Sequence, residues 1–163
     1  MRARIESHLG SRQVSRVIYG AIIGLAFVVA LQAHPPSAGA VAVGLVATAI
    51  AVGLAELYSE IVGTETRTRH RVGAEHVREI LDDVVAVGFG IAFPAVFFVL
   101  AALGAMEVDT AFRIAKWSGL GLIAFYGFCA ARLAGQRVPA ALLQAVAVGA
   151  VGAVLIVLKA LVH

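Results

Sequence analysis

Residues 38–63 read AGAVAVGLVATAIAVGLAELYSEIVG and begin with eighteen residues that carry no charge, 38–55. A membrane-spanning helix needs about 20 such residues, because each advances the helix by about 1.5 Å and the hydrocarbon layer is about 30 Å thick. Glu56 and Glu60 follow, four residues apart, and therefore lie on one face of that helix. Ionisable side chains at membrane depth are costly and indicate function. The stretch predicts a transmembrane helix with a pair of carboxylates near one end.

The whole chain has the composition of an integral membrane protein. Its 163 residues are 61% hydrophobic and 14% charged, with a mean hydropathy of +0.94, whereas soluble domains carry about 25% charged residues. The net charge of +3 is expected to mark cytoplasmic loops and does not indicate nucleic acid as a partner. The single cysteine, Cys129, excludes an intramolecular disulfide. Gly20 and Gly24 form a GxxxG pair, which favours the close approach of another helix.

Apolar runs separated by polar or proline-containing turns predict five transmembrane helices, so the expected fold class is an all-α membrane bundle. The predicted spans are residues 17–33, 38–62, 84–106, 111–133 and 138–161. They form one domain, 17–163, which follows a polar N-terminal arm, 1–16. The cytoplasmic loop 63–83 joins the second and third spans and is expected to hold a short helix over 74–83. Pro94 lies within the third span and predicts a bend, because proline removes a helix hydrogen bond.

The distribution of basic residues predicts which helix ends face the cytoplasm. Ten of the thirteen Lys and Arg residues lie in the segments 1–16, 63–83 and 132–137. Cytoplasmic loops carry such an excess of basic residues. We therefore expect the N-terminus inside and the C-terminus outside, in a cytoplasmic (plasma) membrane. In this orientation Glu56 lies about 27 Å along the second helix from Ala38, close to the inner boundary.

The polar residues favour ion handling over catalysis. The chain contains no nucleophile–base pair, no phosphate-binding glycine loop and no CxxC, so an enzyme is not expected. Carboxylates and imidazoles bind divalent metals and carry protons. The candidate metal ligands are Glu56 and Glu60 in the second span, and Glu75, His76 and Glu79 on the juxtamembrane helix. Within each set, spacings of three or four residues place pairs of side chains on a shared helix face.

Each set also has a purely structural interpretation. Glu56 is compatible with an interfacial position or with an ion pair to an arginine such as Arg16. Glu60 lies nearer to water and is compatible with simple solvation. The acids of the juxtamembrane helix are, on this interpretation, solvated and paired with Arg71 and Arg78.

Three stretches and one proline together resemble a known family. They are RVIYGAIIG at residues 16–24, GLAELYS at residues 53–59, ARLAGQ at residues 131–136, and Pro94. Their order and spacing are similar to those of the vacuolar iron transporter family, which contains nodulin-like proteins and yeast vacuolar iron–manganese carriers. The likeness covers all five predicted spans. The large cytoplasmic metal-binding insert of the family is reduced in this chain to the loop 63–83.

The resemblance implies a homodimer whose ion path lies between the first and second spans of the two chains. It also implies export of cytosolic Fe²⁺ or Mn²⁺ in exchange for protons, with Glu56 at the position of the family's second-span glutamate. The family's first-span aspartate falls at Ile23 in this sequence. Its second-span methionine has no counterpart, since Met1 and Met106 are the only methionines.

Taken together, the sequence predicts a transporter-like membrane protein that handles a divalent cation (Fe²⁺ or Mn²⁺) or protons. Glu56 is the expected ligand or proton carrier at the inner gate and Glu60 the auxiliary ligand, whereas Glu75, His76 and Glu79 form a weak capture site. The expected partners are the lipid bilayer and a second copy of the chain. The alternatives are a transport-inactive scaffold or accessory protein that keeps the fold, and a transporter of a different substrate.

Overall fold

The computed structural model of the protein describes residues 11–161, which form six α-helices and no strands. In chain order they are α1 (Ser11–Leu31), α2 (Ala38–Thr68), α3 (Ala74–Ala92), α4 (Ala95–Ala102), α5 (Val108–Leu133) and α6 (Val138–Leu161). The predicted all-α fold class is confirmed for these residues. Residues 1–10 of the predicted N-terminal arm, and residues 162–163 at the end of the predicted domain, lie outside the described residues.

The helices of residues 11–161 are suited to a lipid bilayer. Four of them, α1, α2, α5 and α6, are long and apolar enough to cross a membrane, and a fifth crossing results if α3 and α4 form one bent span. Their apolar length matches the hydrocarbon layer. The chain is therefore a multi-pass membrane protein by the length and composition of its helices.

The bend predicted at Pro94 is present. α3 ends at Ala92, α4 begins at Ala95, and the two helices differ in direction by 48°. Proline has no N–H to donate to the carbonyl four residues earlier, and its ring clashes with that carbonyl. Beyond the bend, Phe98 of α4 is fully buried and its ring packs edge-on against Phe112 of α5, with the ring centroids 4.8 Å apart.

Several helix boundaries differ from the sequence-based prediction. The second span is predicted to end at residue 62, but α2 continues to Thr68. The helix predicted over 74–83 is confirmed as the first part of α3, so only residues 69–73 connect α2 to α3. The third span, predicted as continuous over 84–106, is interrupted at Pro94 and its helical part ends at Ala102. Apolar length shows where a helix leaves the membrane, whereas a helix continues into water as long as its backbone hydrogen bonds are made.

The first helix lies at the centre of the bundle. α1 packs most extensively against α3 and α5, and it also contacts α6. Against α3 the contact is between backbones: a Cβ atom at Gly20 would overlap the carbonyl oxygen of Val87, and one at Gly24 would lie 2.8 Å from the carbonyl oxygen of Ile91. Glycine, which lacks a Cβ, is the residue that permits such an approach. The GxxxG pair therefore has a partner helix, and that partner is α3.

The same contacts set the register of α1 and α3. Gly20 faces Val87 and Gly24 faces Ile91, and in both pairs the two residues are sixty-seven positions apart. Because the numbers rise together along both helices, α1 and α3 run in the same direction. Four residues make slightly more than one helical turn, so the positions four residues earlier, Arg16 and Asp83, belong to the same row of contacts.

The second helix lies on the outside of the bundle. α2 packs against α3 and α4 and contacts α1 only sparingly. Its outward face is apolar and includes the exposed side chains of Val46, Ile50 and Leu54. Such side chains suit a lipid-facing surface, because lipid tails are as apolar as leucine. α2 is thus attached to the central helix by few contacts, and one of them lies in the candidate site described below.

Candidate functional site

Charged side chains from three helices meet at one end of the bundle. Arg16 lies in the second turn of α1, one turn before Gly20, while Asp83 lies on α3 one turn before Val87. The Nη1 atom of Arg16 pairs with the carboxylate of Glu56 on α2, and its Nε atom lies 3.6 Å from Oδ2 of Asp83. We call Arg16, Glu56 and Asp83 the charge triad.

The charge triad is largely withdrawn from solvent. The exposed fraction of the side chain is 8% for Asp83, 15% for Glu56 and 25% for Arg16. Moving an ion out of water costs several kcal/mol, so buried charges are found in pairs. The fork of N–H donors on a guanidinium suits two acceptors at once. Arg16 therefore compensates two carboxylates and leaves the triad with one negative charge.

A recess of about 320 Å³ adjoins the charge triad. We call it the Glu56 recess; its lining residues are Tyr19, Val52, Ala55, Glu56, Ser59 and Glu60. The two glutamates predicted as a pair thus share one recess, one turn apart on α2. Carboxylates and hydroxyl groups supply the oxygen atoms that hard divalent cations prefer. The recess has suitable chemistry for a small cation at its wall.

The ion pair between Arg16 and Glu56, predicted as the structural interpretation of Glu56, is confirmed. The guanidinium occupies the carboxylate that the family resemblance assigns to a cation. Because Arg16 and a cation are both positive and are both drawn to the Glu56 carboxylate, they compete for it. Ile23, at the family's aspartate position, lies two turns further along α1 and supplies no ligand.

The juxtamembrane candidates are brought together only in part. Nδ1 of His76 lies 3.2 Å from Oε2 of Glu79, whereas Glu75 is exposed and has no ion pair with another described residue. The expected pairing of these acids with Arg71 and Arg78 is not found among the described residues. His76 and Glu79 therefore form an isolated hydrogen-bonded pair at the surface.

The described part of the chain contains no group of three or more His, Cys, Asp or Glu side chains arranged to hold a metal ion. Glu56 and Glu60 share a recess, and His76 and Glu79 share a hydrogen bond, but neither pair alone makes a full ligand set. As metal ligands, the five sequence candidates remain predictions: Glu56, Glu60, Glu75, His76 and Glu79.

Asp83 belongs to the site but is absent from the sequence-based ligand set. The sequence contains a signal for Asp83, because the buried positions of α3 have the spacing of a single helix face: Ile80, Asp83, Val87, Gly90 and Ile91. This period places Asp83 on the apolar face of the helix, while the adjacent Asp82 is exposed. An acid on the apolar face indicates a charged or hydrogen-bonding partner on a neighbouring helix.

Comparisons of the chain with protein families, with curated proteins and with solved structures give no match. The resemblance to the vacuolar iron transporter family therefore stays a prediction from the motifs quoted above. The charge triad and the Glu56 recess are the features from which a function has to be inferred.

Proposed function

We propose that the chain is a transporter-like membrane protein that exports a divalent cation from the cytosol in exchange for protons. The observation that carries the proposal is the position of Glu56, a carboxylate on a helix long enough to span a membrane, beside a recess that also holds Glu60. The family resemblance makes Fe²⁺ and Mn²⁺ the first ions to test.

In this proposal Glu56 is the ligand and proton carrier, and Glu60 is the auxiliary ligand. A carboxylate binds a metal ion only when it is deprotonated, so metal and proton compete for Glu56 and their movements become coupled. The three carboxylates of Glu56, Glu60 and Asp83, with the one guanidinium of Arg16, carry a formal charge of −2. A divalent cation neutralises this charge, which favours its entry into a site shielded from water.

The proposed topology has five spans, with α3 and α4 together forming the third. The end of α1 that carries Arg16 faces the cytoplasm, because the segments that carry most of the basic residues lie at that side in a five-span arrangement. Glu75, His76 and Glu79 are then cytoplasmic, where a weak capture site would collect the ion before it reaches Glu56.

A transport-inactive scaffold is the second candidate. It is favoured by the contact between Arg16 and Glu56, which satisfies the glutamate without any bound ion. The isoleucine at position 23 also removes the mid-membrane ligand that the resembling family uses. Measurements of ion flux and of ion binding distinguish the transporter from the transport-inactive scaffold.

In proteoliposomes, Glu56→Gln is expected to reduce Mn²⁺ flux and the accompanying proton flux by about tenfold or more, because a neutral amide replaces a charged oxygen ligand. Fluorescent indicators of Mn²⁺ and of pH inside the vesicles measure the two fluxes. Asp82→Asn is the matched control, since it neutralises an exposed acid outside the recess.

Flux that is unchanged by Glu56→Gln would remove Glu56 from the mechanism. If calorimetry of the wild-type protein detects no saturable binding of Fe²⁺ or Mn²⁺, the scaffold is the better description.

In this proposal the protein acts as a homodimer. Support comes from the apolar outer side of α2, where a groove of about 520 Å³ between α2 and α3 includes Gly53 and Gly88. Small residues in an apolar groove permit the close approach of another helix. In a mild detergent the purified protein is expected to have the mass of two chains by light scattering, and a monomeric mass would contradict the dimer.

A further inference from the structure

We infer that Arg16 is a resident counter-ion that shifts from Glu56 to Asp83 when a cation binds at Glu56, and that Asp83 is the positioning residue for this exchange. The inference rests on the proposed function, because it concerns the same carboxylate. It gives a role to Asp83, which belongs neither to the glutamate pair on α2 nor to the motifs of the family resemblance.

The guanidinium already faces both acids through different nitrogen atoms. Nη1 pairs with Glu56, while Nε lies 3.6 Å from Oδ2 of Asp83. An ordinary N–H···O hydrogen bond is about 2.9 Å long, so a shift of about 0.7 Å converts the second contact into a full hydrogen bond. Arg16 can therefore release Glu56 and tighten on Asp83 without leaving its position.

The two contacts differ in how firmly the backbone holds them. Arg16 and Asp83 belong to the row of contacts in which Gly20 meets Val87, where the backbones of α1 and α3 touch. Backbone atoms in such contact cannot separate without breaking the packing of the bundle. Glu56 lies on α2, which contacts α1 only sparingly. The contact with Asp83 is therefore the fixed one, and the contact with Glu56 is the exchangeable one.

The exchange keeps Arg16 paired with a carboxylate in both states. Without a cation, Arg16 neutralises Glu56; with a cation on Glu56, Arg16 neutralises Asp83. If residue 83 carried no charge, a displaced guanidinium, which is only 25% exposed, would lose its carboxylate partner in the charge triad, which is unfavourable. Arg16 would then stay on Glu56 and compete with the cation. Asp83 accordingly raises the affinity of Glu56 for the cation. It does so by holding the displaced Arg16, without touching the cation.

Mn²⁺ binding to the full chain in lipid nanodiscs, measured from the paramagnetic resonance signal of free Mn²⁺, tests this inference. The four proteins are the wild type, Arg16→Gln, Asp83→Asn and the double variant. We expect Arg16→Gln to bind Mn²⁺ about tenfold more tightly, because the competing cation is gone, and Asp83→Asn to bind it about tenfold more weakly.

The decisive quantity is the interaction between the two substitutions. Asp83 also attracts a cation through space, but this attraction is present with or without Arg16 and cancels in the double-mutant cycle. We expect Asp83→Asn to weaken binding at least about threefold more when Arg16 is present than when it is glutamine. Thermal unfolding without Mn²⁺ establishes that each protein is folded. If Arg16→Gln does not fold, Arg16→Met replaces it, since methionine fills the space of the arginine stem and carries no charge.

Equal weakening by Asp83→Asn in both backgrounds would overturn the exchange while leaving the proposed function intact, because Asp83 would then attract the cation directly. An absence of Mn²⁺ binding in all four proteins would contradict the proposed function itself and the exchange with it. In that case, coupling between Arg16 and Asp83 in thermal unfolding would identify the charge triad as a structural clamp.

Discussion

Gly90→Ala is expected to lower the free energy of unfolding by about 3 kcal/mol, the upper end of the usual penalty for overpacking. A Cβ atom at this position would lie 2.5 Å from the carbonyl oxygen of Val17 and 2.6 Å from the backbone nitrogen of Ala21. Both atoms belong to the backbone of α1 and cannot rotate aside as a side chain can, so α1 and α3 have to separate. Equilibrium unfolding in mixed detergent micelles, followed by circular dichroism, measures the loss.

Gly121→Ala is the matched control for this substitution. Gly121 lies within α5, and a Cβ atom there meets nothing within 4 Å. Alanine is a better helix former than glycine, so this variant is expected to unfold at the same free energy as the wild type or about 0.5–1 kcal/mol higher. A similar loss in both variants would contradict a backbone contact between α1 and α3.

Arg16→Gln is expected to lower the free energy of unfolding by about 2–3 kcal/mol, because the ion pairs are partly buried and removal of one partner of a fully buried pair costs about 3–5 kcal/mol. The substitution leaves the carboxylates of Glu56 and Asp83 without their shared cation, and 15% and 8% of these side chains are exposed. The same unfolding assay measures the effect. Arg78→Gln is the control, because Arg78 is exposed on α3 and has no ion pair among the described residues; its effect is expected to stay within about 0.5 kcal/mol.

A rescue experiment separates the loss of charge compensation from general damage to α1. Adding Glu56→Gln and Asp83→Asn to the Arg16→Gln protein removes the two carboxylate charges that Arg16 contacts, and we expect most of the lost stability to return. If the single variant loses less than about 0.5 kcal/mol, or if the triple variant is no more stable than the single one, the charge triad is not a buried, mutually dependent set.

The helices follow from local features of the sequence. The uncharged run 38–55 is long enough for a bilayer whatever surrounds it, and Pro94 bends its helix because of its own ring. The end of α2 does not follow in this way. The residues after 62 are polar, and a scale of apolarity cannot distinguish a loop from a helix that continues into water, so the six further residues of α2 were missed.

The candidate site was predictable only in the parts that lie on one helix. Glu56 and Glu60 are one turn apart, and this spacing is sufficient to place them together. Asp83 joins Arg16 because α1 and α3 pack with an offset of sixty-seven residues. No local pattern specifies that offset; it arises from which glycine meets which carbonyl when two distant helices pack. The period of buried positions on α3 would have shown that Asp83 faces the bundle, but not which cation it faces.

The central position of α1 has a consequence for the synthesis of the protein. α1 emerges from the ribosome before α3, and the segment of α3 that fits its glycines is made sixty-seven residues later. At roughly 5–20 residues per second, this is a delay of about 3–13 s. During that time Arg16 and the glycine face of α1 have no α3 to pack against, and α2 makes only few contacts with α1. The packing of α1 is thus completed only after α3 arrives, so truncated chains that end before residue 92 are expected to be substrates of membrane quality control.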